Sequence, residues 1–332
     1  MMTSKDKLVY FIYLHRTGLW VLALSLALVV WPLYESNPYN LGLSNLIAIH
    51  LLVVLGLNLF IGYAGQISLG HAGFFALGAY GSALGTISLG WPAWPVMVLV
   101  AIAVAFIALA VGLPALKLSG HYLAMATLGF NIVVYLLLVQ WDAVTGGPGG
   151  LAEIPHLSMG PLVFDSEIRL HYLLWTFAMG CLLLSLNLVR SGAGRGLAAL
   201  AEDETAASAL GVDTKRAKVK VFILSAVFAS LAGSLFAHCY AFVSPESFSI
   251  FVSLEFVIMV IVGGMGSIWG SLFGTALITL LPEWIEALDA YKDILHGLIV
   301  VLILMFLPQG LVTGITDAVR TRLALGRKPG IK

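Results

Sequence analysis

Apolar residues fall into ten blocks along the chain, at about 18–34, 41–62, 70–89, 95–116, 121–140, 171–189, 219–241, 250–264, 268–286 and 293–307. A helix needs about 20 mostly apolar residues to cross a bilayer, and most of these blocks qualify. The blocks at 70–89, 250–264 and 268–286 are short or broken by glycine. Re-entrant or partly unwound backbone stays open for them, because lipid tolerates it only where protein or water covers it. The pattern predicts an all-α polytopic membrane protein, a bundle of about 8–10 transmembrane helices. Two polar stretches interrupt it. Residues 141–170, WDAVTGGPGGLAEIPHLSMGPLVFDSEIRL, are rich in Gly and Pro and read as a turn-rich loop. Residues 190–220 are the other stretch.

Charge orients the bundle. With the N-terminus inside, 15 of the 17 lysines and arginines lie on inner segments, and only Arg169 and Lys292 lie outside. That is the bias expected of inner loops. The outer loops and helix ends carry acids, among them Glu35, Asp142, Glu153, Asp165, Glu167 and Glu246. The expected layout is a cytoplasmic N-terminus at 1–17, a membrane domain at 18–311 and a basic cytoplasmic tail at 312–332. The run at 18–34 is too long for a signal-peptide core and lacks a following A-x-A site, so it reads as a retained helix.

Composition removes other classes. The residues are 60% hydrophobic and 10% charged, with zero net charge; a soluble domain is about 25% charged. No basic stripe supports nucleic-acid binding. Cys181 and Cys239 both sit in apolar blocks as packing residues, and no Cys/His cluster suggests a metal. There is no phosphate-loop motif, no H-E-x-x-H and no G-x-S-x-G. An enzyme in the membrane therefore has little to stand on, and no cofactor is implied.

Residues 62–85, GYAGQISLGHAGFFALGAYGSALG, hold seven glycines in 24 positions. Gln66, Ser68 and His71 lie among Gly62, Gly65, Gly70 and Gly73, which suggests irregular backbone of the kind transporters place near a substrate path. These three polar residues are path candidates, with a local hydrogen-bonded turn as the alternative. In GGMGSIWGSLFGTAL, residues 263–277, Gly266, Gly270 and Gly274 recur every fourth position, and small residues so spaced allow close helix packing. Glu255 is the acid deep in an apolar run. An ionisable group there is a functional candidate, whether proton-coupled, substrate-facing or paired within the bundle. Asn58, Asn131 and His50 are weaker candidates of the same kind.

Residues 196–210 are mostly helix formers, and Gly211 stands where a C-cap glycine belongs. A helix of about 15 residues is too short to span, and Glu202, Asp203 and Glu204 keep it out of lipid. Lys215, Arg216, Lys218 and Lys220 follow at the entry to the next span. The expectation is one short helix lying on the inner face.

Within this segment TAASALG, residues 205–211, resembles the EAA…G coupling motif of bacterial ABC importer permeases. The motif alanines fall on Ala206 and Ala207 and its glycine on Gly211; Thr205 takes the glutamate position, with Glu204 just before it. LGLNLFIGYAGQISLGHAGFFALGAY, TGGPGGL, SPESFSIFVSLEFVIMVIVGGMGSIWGSLFGTAL and FLPQGL extend the likeness, in order, across residues 55–311. Together they are similar to the LivM-like permease subunits of branched-chain amino acid ABC importers. The resemblance implies a second homologous permease subunit, two cytoplasmic ABC ATPase subunits and a periplasmic substrate-binding protein, in the bacterial inner membrane. It implies that Arg195, Gly196, Glu202, Asp203, Glu204, Ala206, Ala207 and Gly211 belong to the ATPase-coupling segment, and that loop 141–170 faces the binding protein. Related systems also carry urea, amides, other amino acids or aromatic acids. The competing reading is a self-contained carrier or channel driven by an ion gradient through Glu255.

Overall fold

The computed structural model describes residues 4–35, 37–160 and 162–284, together with 297, 298, 301, 305 and 310. The predicted block at 293–307 and the basic tail at 312–332 lie largely or wholly outside these described residues. The fold is all-α: α1 Ser4–Tyr34, α2 Pro38–Asn58, α3 His71–Ile87, α4 Ala93–Ala115, α5 His121–Gln140, α6 Asp142–Thr145, α7 Glu167–Arg190, α8 Gly192–Glu202, α9 Glu204–Ala209, α10 Thr214–Tyr240, α11 Ile250–Gly263 and α12 Ile268–Trp284. α2 continues as a π-helical turn, Leu59–Tyr63. Helix α1 starts at Ser4, so the stretch expected as an N-terminal tail is mostly helical.

Five helices are long and apolar enough to cross a membrane: α2 with its π turn, α4, α5, α7 and α10. Burial ranks them. α2 is 78% buried over its apolar window and α10 61%, against 28% for α4 and 33% for α5. α2 and α10 thus form the centre, while α4 and α5 turn Leu99, Ile102, Phe106, Met125 and Leu136 outward as a lipid-facing surface would require. Asn37 starts α2 by accepting a hydrogen bond from the Tyr39 N–H, with Pro38 at the first helical position.

The centre closes through glycine. Gly78 of α3 lies on the Ser230 backbone of α10, and Gly233 of α10 lies on the Phe75 and Ala79 backbone of α3, with no room for a methyl at either point. Close approach of this kind gains dispersion contacts that lipid cannot replace. Phe75, Phe248 and Phe256 stack edgewise beside the crossing, at 5.1 and 5.8 Å from Phe75.

Two short helices begin inside the bundle rather than at its end. His71, the first residue of α3, meets Ser225 on α10, eleven residues beyond that helix's start, or roughly 16 Å along its axis. Ser253, near the start of α11, accepts the Ala72 N–H of α3 at 3.0 Å. α3 and α11 are therefore partial spans that meet at depth. α12 runs the length of the bundle, from the Asn58 level to Glu283, which accepts a hydrogen bond from Tyr39.

The loop at 141–170 carries α6, a 3₁₀ turn at Gly147–Gly149 and a two-stranded hairpin, Ser158–Met159 against Leu162–Val163. It is pinned to the end of α10. Leu151 and Val243 exchange backbone hydrogen bonds at 2.8 and 2.9 Å. His238 joins its Pro155 carbonyl at 2.7 Å and Ser82 of α3 at 2.8 Å.

Candidate functional site: a helical hairpin against a broken helix

The expected single helix at 196–210 is two helices. Ser191 caps α8 by accepting the Gly194 N–H at 3.4 Å. Leu197 and Leu200 bury the inner face of α8. At Asp203 the backbone turns extended, φ −156° and ψ 113°, and ends the helix. Its carboxylate then accepts the Thr205 and Ala206 N–H groups at 2.7 and 3.0 Å, starting α9. A short acid that caps a new helix competes with continuation of the old one, which is why helix-forming composition alone misses the break. Gly211, at φ +87°, closes α9 as expected, with the Val212 N–H returning to the Ala207 carbonyl at 3.0 Å.

The motif alanines divide. Ala207 is buried, whereas Ala206 faces outward with Glu202, Asp203, Thr205 and Ser208. Leu210 ends this surface 82% exposed, a large apolar tip that composition gave no reason to single out. Glu204 binds Lys218 of α10 at 2.6 Å, and the lysine side chain is only 5% exposed. That ion pair fixes α9 to the base of a central helix. Arg195 and Gly196 stand on α8, where Arg195 donates to the Arg190 carbonyl at 3.2 Å.

The end of α8 rests on the glycine-rich break. Gly65 has φ +66°, and a methyl on it would stand 3.1 Å from the Ala201 Cα. Before Gly65 the helix widens to the π turn; after it, residues 64–70 are irregular. Such π turns in a helix recur at functional sites. Ser68 meets the His71 Nδ1 at 3.1 Å, and the His71 Nε2 meets Ser225 at 3.0 Å, so both side chains are buried and bonded. Gln66 is half-buried and donates to the Ala64 carbonyl at 3.1 Å. The Thr127 hydroxyl of α5 accepts the Leu69 N–H at 3.0 Å.

On its other side the break holds the α11–α12 turn. Asn58 donates to the Ser267 carbonyl at 2.8 Å and to the Ser271 hydroxyl at 2.7 Å, and accepts the Gly266 N–H at 2.9 Å. Its amide is fully engaged, which makes it a clamp in this conformation rather than an open lining residue. Gly266 is not on the glycine face of α12: it precedes the helix, at φ +73°, and packs on Gly62. Gly263 of α11 takes the third position in the close packing, against Gly270 and Gly274. The spacing pointed to the right helix, but its first glycine serves the turn.

Asn131 and Glu255 differ from the rest. Asn131 is buried on α5 beside Gly73, and neither atom of its amide is hydrogen-bonded. Glu255 is half-buried on α11 and has no hydrogen bond or ion pair among the described residues. It borders a face left uncovered by this chain, where Phe251 is 75% exposed. His50 lies 3.4 Å from Thr279 and edge-on to Phe256.

Residues 40–304 match the model of the family described as branched-chain amino acid transport system / permease component. The chain belongs to this family. The permease is 35% identical, over 89% of its length and 75% of the relative's, to the high-affinity branched-chain amino acid transport system permease protein LivM of Escherichia coli K12. It is 27% identical to LivH of the same strain, over 53% of this chain and 60% of that one. It is 25% identical to the autoinducer 2 import system permease protein LsrC of Yersinia enterocolitica, over 58% of this chain and 53% of that one. No solved structure matches the permease. Its multi-pass helical architecture and its role as a transport permease rest on this membership and on the spans described above.

Proposed function

We propose that this permease forms, with a second homologous subunit, the membrane path of an ATP-driven importer for branched-chain amino acids. ATP is hydrolysed by separate ATPase subunits, and a binding protein delivers substrate to the face that carries loop 141–170. The α8–α9 hairpin is the part that receives ATPase motion. One observation carries this reading: the hairpin is tied into the bundle at two points, Glu204 to Lys218 and Ala201 on Gly65. Motion of its exposed tip, Ala206 to Leu210, is thereby passed to α10 and to the break. The break passes it on to the α11–α12 turn through Asn58 and Gly62. A rigid rod with two arrangements is what coupling between distant sites requires.

The uncovered face of α11, with Glu255 at its border, is the surface we assign to the second permease subunit and the path between them. Relatives named for branched-chain amino acids and for autoinducer 2 fall in the same comparison, so the solute is best read from the delivering protein. Co-purification with ATPases tests the proposal, combined with a cross-link from Leu210→Cys into them. Expected is an ATPase adduct and solute uptake that requires ATP. Uptake by the chain alone, driven by an ion gradient, would replace it with the Glu255-based carrier.

A further inference from the structure

Where α7, α8 and α10 meet, the surface opens into a groove of about 450 Å³. Its floor is apolar: Leu188 from α7, Leu197 from α8, and Val221 and Leu224 from α10. Its rim is cationic. Arg216 and Lys220 line it, and the Arg195 guanidinium reaches to 3.8 Å from the position a methyl on Gly192 would take. The acid in the lining, Asp213, is already paired with Arg216 at 3.1 Å. Lys220 is exposed and has no acidic partner among the described residues. Past Lys220 the same face of α10 continues as Leu224, Val227 and Leu231, each only half-buried. Their spacing of three and four residues places them in one line along the helix.

We infer that this groove binds an anionic phospholipid, its headgroup on Lys220, Arg216 and Arg195 and one acyl chain along Leu224, Val227 and Leu231. Charge complementarity and the direction of the track select the occupant. Basic pockets at the inner ends of membrane helices suit anionic headgroups. A free phosphate has no use for the apolar floor. An ATPase loop cannot follow a track that runs along the spanning part of α10. The lipid would sit beside α8 and steady the base of the hairpin without touching its tip. The inference rests on the inner-surface placement of 190–220 proposed above, and on neither the solute nor the ATPases.

The test is lipid retention by the full chain, purified with its partner subunits in mild detergent and read by mass spectrometry after exchange into mixed phosphatidylglycerol and phosphatidylcholine. Wild type is expected to keep phosphatidylglycerol preferentially. The preference falls about fivefold for each cation removed in Lys220→Gln and Arg216→Gln. Leu224→Trp fills the track, keeps the charge and lowers retention of either lipid. Equal retention of both lipids by wild type overturns the inference, as does an unchanged preference in the double Gln variant. Loss of ATPase subunits from that variant with lipid retention intact assigns the cations to a protein partner and overturns it too. If ATPases never co-purify, the functional proposal fails, while lipid retention measured on the chain alone still decides this one.

Discussion

Gly65 and Ala201 lie against each other, and their contact joins the hairpin to the break in α2–α3. A methyl at Gly65 meets the Ala201 Cα at 3.1 Å and must adopt φ +66°. A non-glycine residue in that conformation costs about 1–2 kcal/mol. Gly65→Ala is therefore expected to insert and assemble, and to lose several-fold in solute uptake while ATP hydrolysis continues. Uptake and hydrolysis measured on the same proteoliposomes check this. Adding Ala201→Gly relieves the crowding but not the backbone strain, so it restores part of the loss. Uptake at the wild-type level in Gly65→Ala removes the contact from the coupling route.

Glu204 and Lys218 form an asymmetric pair: the lysine is buried and the glutamate is half-exposed. Glu204→Ala leaves a buried ammonium without its acceptor, which costs about 1–3 kcal/mol. Lys218→Met replaces the charge with an apolar side chain of similar length and is expected to cost less. The melting temperature of the assembled complex should fall more for Glu204→Ala than for Lys218→Met. The double variant should resemble Lys218→Met, which a double-mutant cycle reads directly.

Much of this architecture is legible in the residues. Long apolar blocks gave the spans of α4, α5, α7 and α10, because lipid demands continuous apolar helix. The crowd of glycines at 62–73 gave the break, since few other residues tolerate φ near that of Gly65. Pairings between distant segments were not legible. Nothing local in the chain says that Asn58 clamps the turn at Gly266, or that Lys218 pairs with an acid fourteen positions earlier. The split at Asp203 was hidden because its neighbours Ala201, Glu202 and Glu204 all favour helix. The mid-depth starts of α3 and α11 were hinted at by their short apolar runs, but their meeting through Ala72 and Ser253 is a tertiary fact.

Gly270 tests the close packing of α11 on α12. A methyl there lies 2.5 Å from the Gly263 carbonyl oxygen and 3.1 Å from that of Gly264. Backbone cannot move aside as a side chain can. Gly270→Leu is expected to push α12 away, open the turn held by Asn58 and cut the yield of assembled complex sharply. Overpacking of this kind costs about 1–3 kcal/mol or more. Gly270→Ala meets the same carbonyls with a single methyl, so a graded loss from Gly to Ala to Leu is the expected result. A normal yield of the Leu variant by size-exclusion chromatography excludes the tight approach.

Glu255 distinguishes the two transport readings. It stands half-buried on α11, without a bonded partner in this chain, next to the face assigned to the second subunit. Glu255→Gln keeps the shape and removes the charge. An ATP-coupled path predicts that the Gln variant still assembles and still hydrolyses ATP, with uptake lowered several-fold if the carboxylate faces the path. It also predicts that neither the wild-type chain nor the variant carries solute alone under an imposed proton gradient. Gradient-driven flux by the isolated wild type, lost in Glu255→Gln, would make this carboxylate the energy-coupling group, since a charge held at depth in a membrane persists where function requires it. The two outcomes differ in sign for the isolated chain, so one liposome experiment separates them.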